Sequence, residues 1–226
     1  MNMSILDKVD LFTYSPKPRK RPDGSFCGFS SPRERHHNLD QSGRIYADRV
    51  EQYCQEIRRG LKQDGTEVRG VLNQRDQEVG GSVSQEGLKT KRLNQLRQKV
   101  NKDIVQNDLE VSENVYQDGQ ECRNLLQKEI RIDGDLNQKD QTVEGYIDER
   151  GQVVRGDKVL SGYVEDEILS GGFVYGDFDV SGLECKKGFE GLPVVLGEFK
   201  YENSIIPPRQ AELLDAISLE KEDLEY

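Results

Sequence analysis

The sequence predicts a mainly β protein with some α structure. The expected form is a 21–22-residue repeat array, either an elongated β-solenoid or meander or an intertwined β shaft. An extended N-terminal arm and a short helix come before it, and a short C-terminal helix ends it. Three observations predict this. The chain repeats itself from about Val50; glycines recur as turn signals every ten or eleven residues; and the apolar supply is thin, with 34% of 226 residues hydrophobic, 33% charged and a mean hydropathy of −0.80. A period near 21 means one supersecondary unit per repeat, stacked on its neighbours. So polar a composition argues against a large α/β catalytic domain.

The first element is an arm over residues 1–43. Residues 16–36 carry six basic side chains (Lys17, Arg19, Lys20, Arg21, Arg33 and Arg35) against Asp23 and Glu34. Pro16, Pro18, Pro22 and Pro32 exclude a helix or a central strand there. The six cations are candidates for partner binding, first to an acidic protein surface in a larger assembly and second to nucleic acid phosphates. Residues 162–226 hold 15 acids against 5 bases, so copies of the chain could meet arm to body.

The repeat itself aligns five ungapped copies that begin at Val50, Leu72, Leu93, Val115 and Leu136. Their third position is Gln52, Gln74, Gln95, Gln117 and Gln138, and their sixth is Gln55, Gln77, Gln98, Gln120 and Gln141. The candidate core comes from the eighth and twelfth positions: Ile57 and Leu61, Val79 and Val83, Val100 and Ile104, Cys122 and Leu126, Val143 and Ile147. Two weaker copies add Val164 and Ile168, then Cys185 and Phe189, without the glutamines. One chain thus offers few core residues per unit, which favours burial shared between chains, a trimer above all.

Residues 44–109 read as helical or mixed. Tyr46, Val50, Tyr53, Ile57 and Leu61 keep one helical stripe, as do Leu93, Leu96, Val100 and Ile104, so helices are expected over about 44–63 and 90–106. Apolar spacings of 7 and 4 would also suit two 11-residue helical repeats. Against helix throughout stand glycines such as Gly80–Gly81 and Gly145, each costing about 1 kcal/mol relative to alanine. Residues 110–200 therefore read as β repeats with regular turns. From residue 201 the character changes. Ala211, Leu213, Leu214 and Ile217 suggest a short docking helix, and Glu220, Glu222, Asp223 and Glu225 an acidic tail over 201–226.

The Gln columns are the first chemical candidate. In a parallel β stack, equivalent Gln side chains lie about 4.8 Å apart and can hydrogen-bond as a ladder. The blander alternative, favoured on composition, leaves them at solvated positions of a duplicated unit. The repeat loosely resembles curli-type amyloid repeats, which also place Gln on a 22-residue period. The charge here is much higher and their glycine-asparagine signature is absent, so membership is not assigned.

Catalytic constellations are not expected. Cys27, Cys54, Cys122 and Cys185 lack zinc-ligand spacing, and Cys122 and Cys185 occupy the apolar eighth column as small hydrophobes. That usage suits a reducing compartment. His36 and His37, the only histidines, offer no basis for a metal site or a nucleophile system. Asp177 and Asp179, and Glu165–Asp166–Glu167, read as solvated turn and edge residues rather than a glycosidase pair, and no phosphate loop occurs. No cofactor or metal is expected. No run approaches the roughly 18 apolar residues of a membrane span, and residues 1–10 lack a signal-peptide profile.

The expectation is a non-enzymatic structural protein: a fibre, decoration or connector component of a particle such as a phage virion, located in that virion or a cytoplasmic assembly. This layout resembles phage fibre and connector proteins in architecture. The alternative is a monomeric repeat scaffold acting as an adaptor or regulator, with a polysaccharide-cleaving spike as a minor third.

Overall fold

The computed structural model describes residues 35–207, together with the backbone of Val9–Asp10, Arg19–Lys20 and Phe26–Cys27. Residues 35–205 wind into a parallel β-solenoid of about eight turns with roughly 21 residues each. Every turn hydrogen-bonds to the next in parallel register. Leu72 pairs with Val50 on one side and Leu93 on the other, and Val79 likewise lies between Ile57 and Val100.

Each turn consists of two half-coils of ten or eleven residues with one shared pattern. From Glu56 it reads Glu-Ile-Arg-Arg-Gly-Leu-Lys-Gln-Asp-Gly, and the second, sixth and eighth residues (Ile57, Leu61 and Gln63) are buried. The corner between Ile57 and Leu61 projects outward, so residues four apart both point in. Such corners leave little room between coils. A Cβ on Gly81 would lie 1.6 Å from the Arg59 carbonyl oxygen of the preceding coil. Each half-coil then turns through a left-handed residue two places after the inward Gln. Gly65 and Gly87 take that conformation freely, whereas Arg97 (φ 53°) and Glu129 (φ 56°) take it against steric cost.

The interior has two apolar lobes. One collects Ile57, Leu61, Val79, Val83, Val100, Ile104, Cys122, Leu125, Val143, Ile147, Val164 and Ile168 from one half-coil. The other collects Val68, Leu72, Leu93, Val111, Val115, Ile132 and Leu136 from the opposite half. Both are closed within one chain, so packing alone does not require the shared burial that suggested a trimer and an intertwined shaft.

Several expectations are corrected. The helices over 44–63 and 90–106 are strands: Val50–Tyr53, Glu56–Ile57 and Leu61–Lys62 in the first case, Lys89–Leu96, Lys99–Val100 and Ile104–Val105 in the second. The i, i+4 spacing that mimicked a helix is the separation of two inward residues across an outward corner. The arm ends sooner than residue 43, because Arg35–His36 and Leu39–Asp40 already pair with Glu56–Ile57 and Leu61–Lys62. Leu126 is not a core residue. Ile104 pairs with Leu125, so Leu125 points inward and Leu126 is half-exposed. The half-coil at Cys122 has one residue fewer, and in a strand a one-residue slip reverses the face. The expected C-terminal helix, from Pro207–Pro208 onward, falls on residues 208–226, which lie outside the described residues; just before it, Ile205 forms a parallel bridge with Glu184. Among the described residues, no helix is long and apolar enough to cross a membrane.

Candidate interaction surface and the polar interior

The space between the two lobes is filled by glutamine. Gln52, Gln74, Gln95, Gln117 and Gln138 enter from one half of each coil, and Gln41, Gln63, Gln85, Gln106 and Gln127 enter from the other. The two columns interlock. Gln106 Nε2 donates to Gln85 Oε1 at 2.7 Å and to Gln95 Oε1 at 2.6 Å, while its own Oε1 accepts from Gln117 and Gln127, each at 2.7 Å. A primary amide has two N–H donors and two carbonyl lone pairs, and this lattice uses all four. Neither Glu, which cannot donate when ionised, nor an apolar residue can do the same. The columns therefore face inward, against the solvated reading favoured on composition.

The third column is also inward. Gln77 donates to Gln55 at 3.1 Å, Gln98 to Gln77 at 2.7 Å and Gln120 to Gln98 at 3.2 Å. Gln141 departs from it and donates to the Gln117 backbone carbonyl instead. The column at Gln41, Gln63, Gln85, Gln106 and Gln127 is not among the sequence candidates. Its signal is Gln recurring every ten or eleven residues from Gln41 to Gln138, which alignment on whole repeats conceals.

All these amides donate toward the N-terminal end, so the lattice has a direction. At the C-terminal end Gln138 faces Leu160 in the next coil and Gln127 faces Glu149 by continuation of the Leu125–Ile147 register. Gln138 Oε1 is buried without a donor. There a charged pair interrupts the pattern. Lys158 stands in the lobe column of Leu72, Leu93, Val115 and Leu136, and Glu149 in the column of Gln127. Lys158 Nζ lies 2.7 Å from Glu149 Oε2, with side chains 2% and 0% exposed. It also donates to Gln152 Oε1 at 2.9 Å and stands 4.8 Å above the Phe178 ring. Burial pushes the Lys158 ammonium down from the ordinary lysine value, and the neighbouring Glu149 carboxylate only partly opposes this.

The remaining sequence candidates fall into structural places. Arg35 Nε pairs with Glu56 Oε2 of the next coil at 3.1 Å and is a solenoid residue rather than an arm residue. The backbone at Arg19–Lys20 forms an antiparallel pair with Phe26–Cys27; Lys17, Arg21 and Arg33 lie outside the described residues. Glu165 and Asp166 bind Lys186 and Lys187, both at 2.7 Å, across one coil, and Asp177 accepts from Lys200 at 2.6 Å and from the Glu198 N–H at 2.9 Å. Asp179 accepts the Ser181 N–H at 2.8 Å within its own turn. The carboxylates of these candidates are thus engaged with cations or backbone. Cys122 and Cys185 are buried free thiols, and burial pushes Cys122 up to about 12, which makes it a poor nucleophile. Cys54 is disulfide-bonded, in contrast to the reduced state that the cysteine usage suggested.

One lateral face forms a surface distinct from the rest. The residues before Val68, Thr90, Val111, Ile132, Val154, Val174 and Val195 lie on a column: Glu67, Lys89, Glu110, Arg131, Val153, Phe173 and Val194, paired in parallel coil by coil. Beside it, two residues on, run Arg69, Lys91, Ser112, Asp133, Arg155, Tyr175 and Leu196. The first five coils of these columns line an open groove of about 760 Å³. Its walls carry Arg69, Lys89, Lys91, Arg131 and Arg155 against Glu67, Glu110 and Asp133, a basic balance on a chain of net charge −10. The last two coils change to apolar: Phe173, Tyr175, Val194 and Leu196 are 48%, 52%, 52% and 60% exposed. Sequence reasoning misses this surface because its members are separated by a whole repeat.

No protein-family model, curated protein or solved structure matches the chain.

Proposed function

We propose that the chain is a non-enzymatic structural protein, a short stiff rod that takes part in assembling a larger particle of the fibre, decoration or connector kind found in virions. The observation that supports this reading is the interior. An unbroken amide lattice from Gln41 to Gln138 ties successive coils through side chains as well as backbone. At a coil spacing of about 4.8 Å, eight turns make a rod about 38 Å long. Its outer surface is studded with ion pairs between consecutive coils, such as Lys89–Glu110 and Lys99–Glu121. These contribute little stability individually, but they place a charge on columns that would otherwise be bare sheet surface.

A second reading, a monomeric scaffold that binds a partner protein, is favoured by the lateral groove and its apolar end. Light scattering on the full chain separates the two. A particle of three times 25.8 kDa supports the fibre-like assembly. A monodisperse monomer removes it and leaves the scaffold, whose partner would then be sought on the groove.

A further inference from the structure

We propose that the solenoid cross-links itself in its interior: the Lys158 amine displaces ammonia from the Gln152 carboxamide, with Glu149 as the proton shuttle, and leaves a Gln152–Lys158 isopeptide bond. This is a single event within one chain. It goes beyond the rod reading and holds for a monomer or an oligomer alike.

Three polar residues enter the interior together in one coil. In the preceding coil the same columns hold Gln127, Ile130 and Leu136; here they hold Glu149, Gln152 and Lys158. In the following coil they hold Ser170, Gly172 and Phe178. Gln152 thus interrupts a column of Leu88, Leu109 and Ile130, and Lys158 one of Leu93, Val115 and Leu136. The strand Ile147–Val154 bulges between Glu149 and Gln152, with Gly151 at φ 75°, so residues three apart both point inward. All three side chains are buried, as is Phe178, and burial of a lysine in an aliphatic column is costly.

The geometry suits acyl transfer. Lys158 Nζ lies 2.7 Å from Glu149 Oε2, within reach for a proton transfer. It also lies 2.9 Å from Gln152 Oε1. A C=O bond is about 1.23 Å long, so the Gln152 carbonyl carbon is within about 4.1 Å of Nζ. A shift of about 1 Å brings the two to attack distance. Ser170 Oγ donates to Glu149 Oε1 at 3.3 Å, which leaves Oε2 facing the amine. Burial already pushes the ammonium toward the neutral form that a nucleophile needs. An ionised carboxylate resists attack, so of the two groups beside Nζ the amide is the electrophile.

In the reaction Glu149 takes one proton from Lys158, and the Nζ lone pair attacks Gln152 Cδ. One C–N bond forms, the Cδ–Nε2 bond breaks, and Glu149 returns its proton to the departing nitrogen. The Lys158 ammonium and the Gln152 carboxamide become one isopeptide and one ammonium ion, with no electron gained or lost. An amide replaces an amide, and loss of ammonia to bulk water drives the exchange. The ion pair described above is the state before reaction, and the freshly refolded chain carries it.

The test is intact mass spectrometry of the full chain, purified in urea and then refolded. In urea the mass should be that of the sequence; after refolding it should fall by one ammonia. Trypsin cuts after Arg150 and Arg155 and, in the unreacted chain, after Lys158. In the reacted chain Lys158 resists it, and residues 151–155 should emerge joined to 156–186. Lys158→Arg, Gln152→Leu and Glu149→Ala should each keep the full mass, and a link that still forms in Glu149→Ala overturns the shuttle. Variants of a buried pair can fail to fold, so the wild-type refolding series decides by itself. A refolded wild type that keeps the sequence mass after prolonged incubation overturns the proposal. So does ammonia lost while still in urea, or loss of water with a link from Lys158 to Glu149 instead.

Discussion

Exchanging the buried Lys158–Glu149 pair for the residues that the repeat uses elsewhere is expected to show how the solenoid tolerates a charge in its interior. In the single variant Glu149→Gln, Lys158 loses its counterion while staying 1% exposed. It can escape only by giving up a proton, which costs about 4.6 kcal/mol for an ordinary lysine at pH 7. In Lys158→Leu the orphan is the Glu149 carboxylate, and protonating an ordinary glutamate at pH 7 costs about 3.7 kcal/mol. Both agree with the loss of about 3–5 kcal/mol seen when one member of a buried pair is removed. Their pH dependences must be opposite. In Glu149→Gln the native state holds fewer protons than the unfolded chain, so stability climbs as pH rises toward the ordinary lysine value. In Lys158→Leu the native state holds more, so stability climbs as pH falls toward the ordinary glutamate value. The double variant should return to within about 1 kcal/mol of the wild type or exceed it. The leucine side chain brought in by Lys158→Leu would continue the lobe column of Leu136. The amide brought in by Glu149→Gln would extend the lattice, with one N–H aimed at Gln127 Oε1 and the other at Gln138 Oε1, which in the wild type lacks a donor. The assay is urea denaturation at pH 5, 7 and 9 for all four proteins. Parallel pH slopes in the two singles, or a double no better than the worse single, would refute the reasoning.

Three further outcomes are expected. Gln106→Glu should destabilise more than Gln106→Ala, because both take one of two donors from the Gln85 and Gln95 carbonyls but only the carboxylate also brings a buried charge; it should recover partly on acidification, when the group becomes protonated and donates once, as read from midpoints at pH 4.5 and 7. Leu125→Ala should cost about 2–5 kcal/mol and Leu126→Ala under about 1 kcal/mol, since only Leu125 is fully buried; equal losses would contradict the ten-residue half-coil at this point. Glu129→Gly should stabilise by about 0.5–1 kcal/mol, because φ 56° strains a side chain and suits glycine, and a lowered thermal midpoint would count against that account.

The repeat period and most of the core columns are legible from residue identity alone. Thirteen of the fourteen core residues nominated from the eighth and twelfth columns lie in lobe one. The exception, Leu126, falls to a dropped residue that leaves the apolar pattern nearly unchanged, since two leucines stand side by side. Helix and strand are confused over 44–63 and 90–106 for a related reason. Inward residues four apart can arise from a helical turn or from a corner between two short strands, and only the partner coil tells them apart. Parallel pairing of Glu56–Ile57 with Glu78–Val79 satisfies between coils the backbone groups that a helix would satisfy within itself.

What the sequence determined by itself is periodic: a repeat near 21, two inward apolar columns and glutamines at fixed offsets. Any fold that keeps each repeat equivalent must stack those columns. What the tertiary structure alone decided is the meaning of the polar ones. Whether Gln74 meets water or Gln63 depends on two half-coils closing on one another within a turn, and composition cannot reveal a closure. Once they close, an amide is as much an interior residue as leucine, because all its donors and acceptors are met by its own kind. The lateral face follows the same logic: Phe173 and Val194 are distant in the chain and become one patch because parallel register sets them side by side.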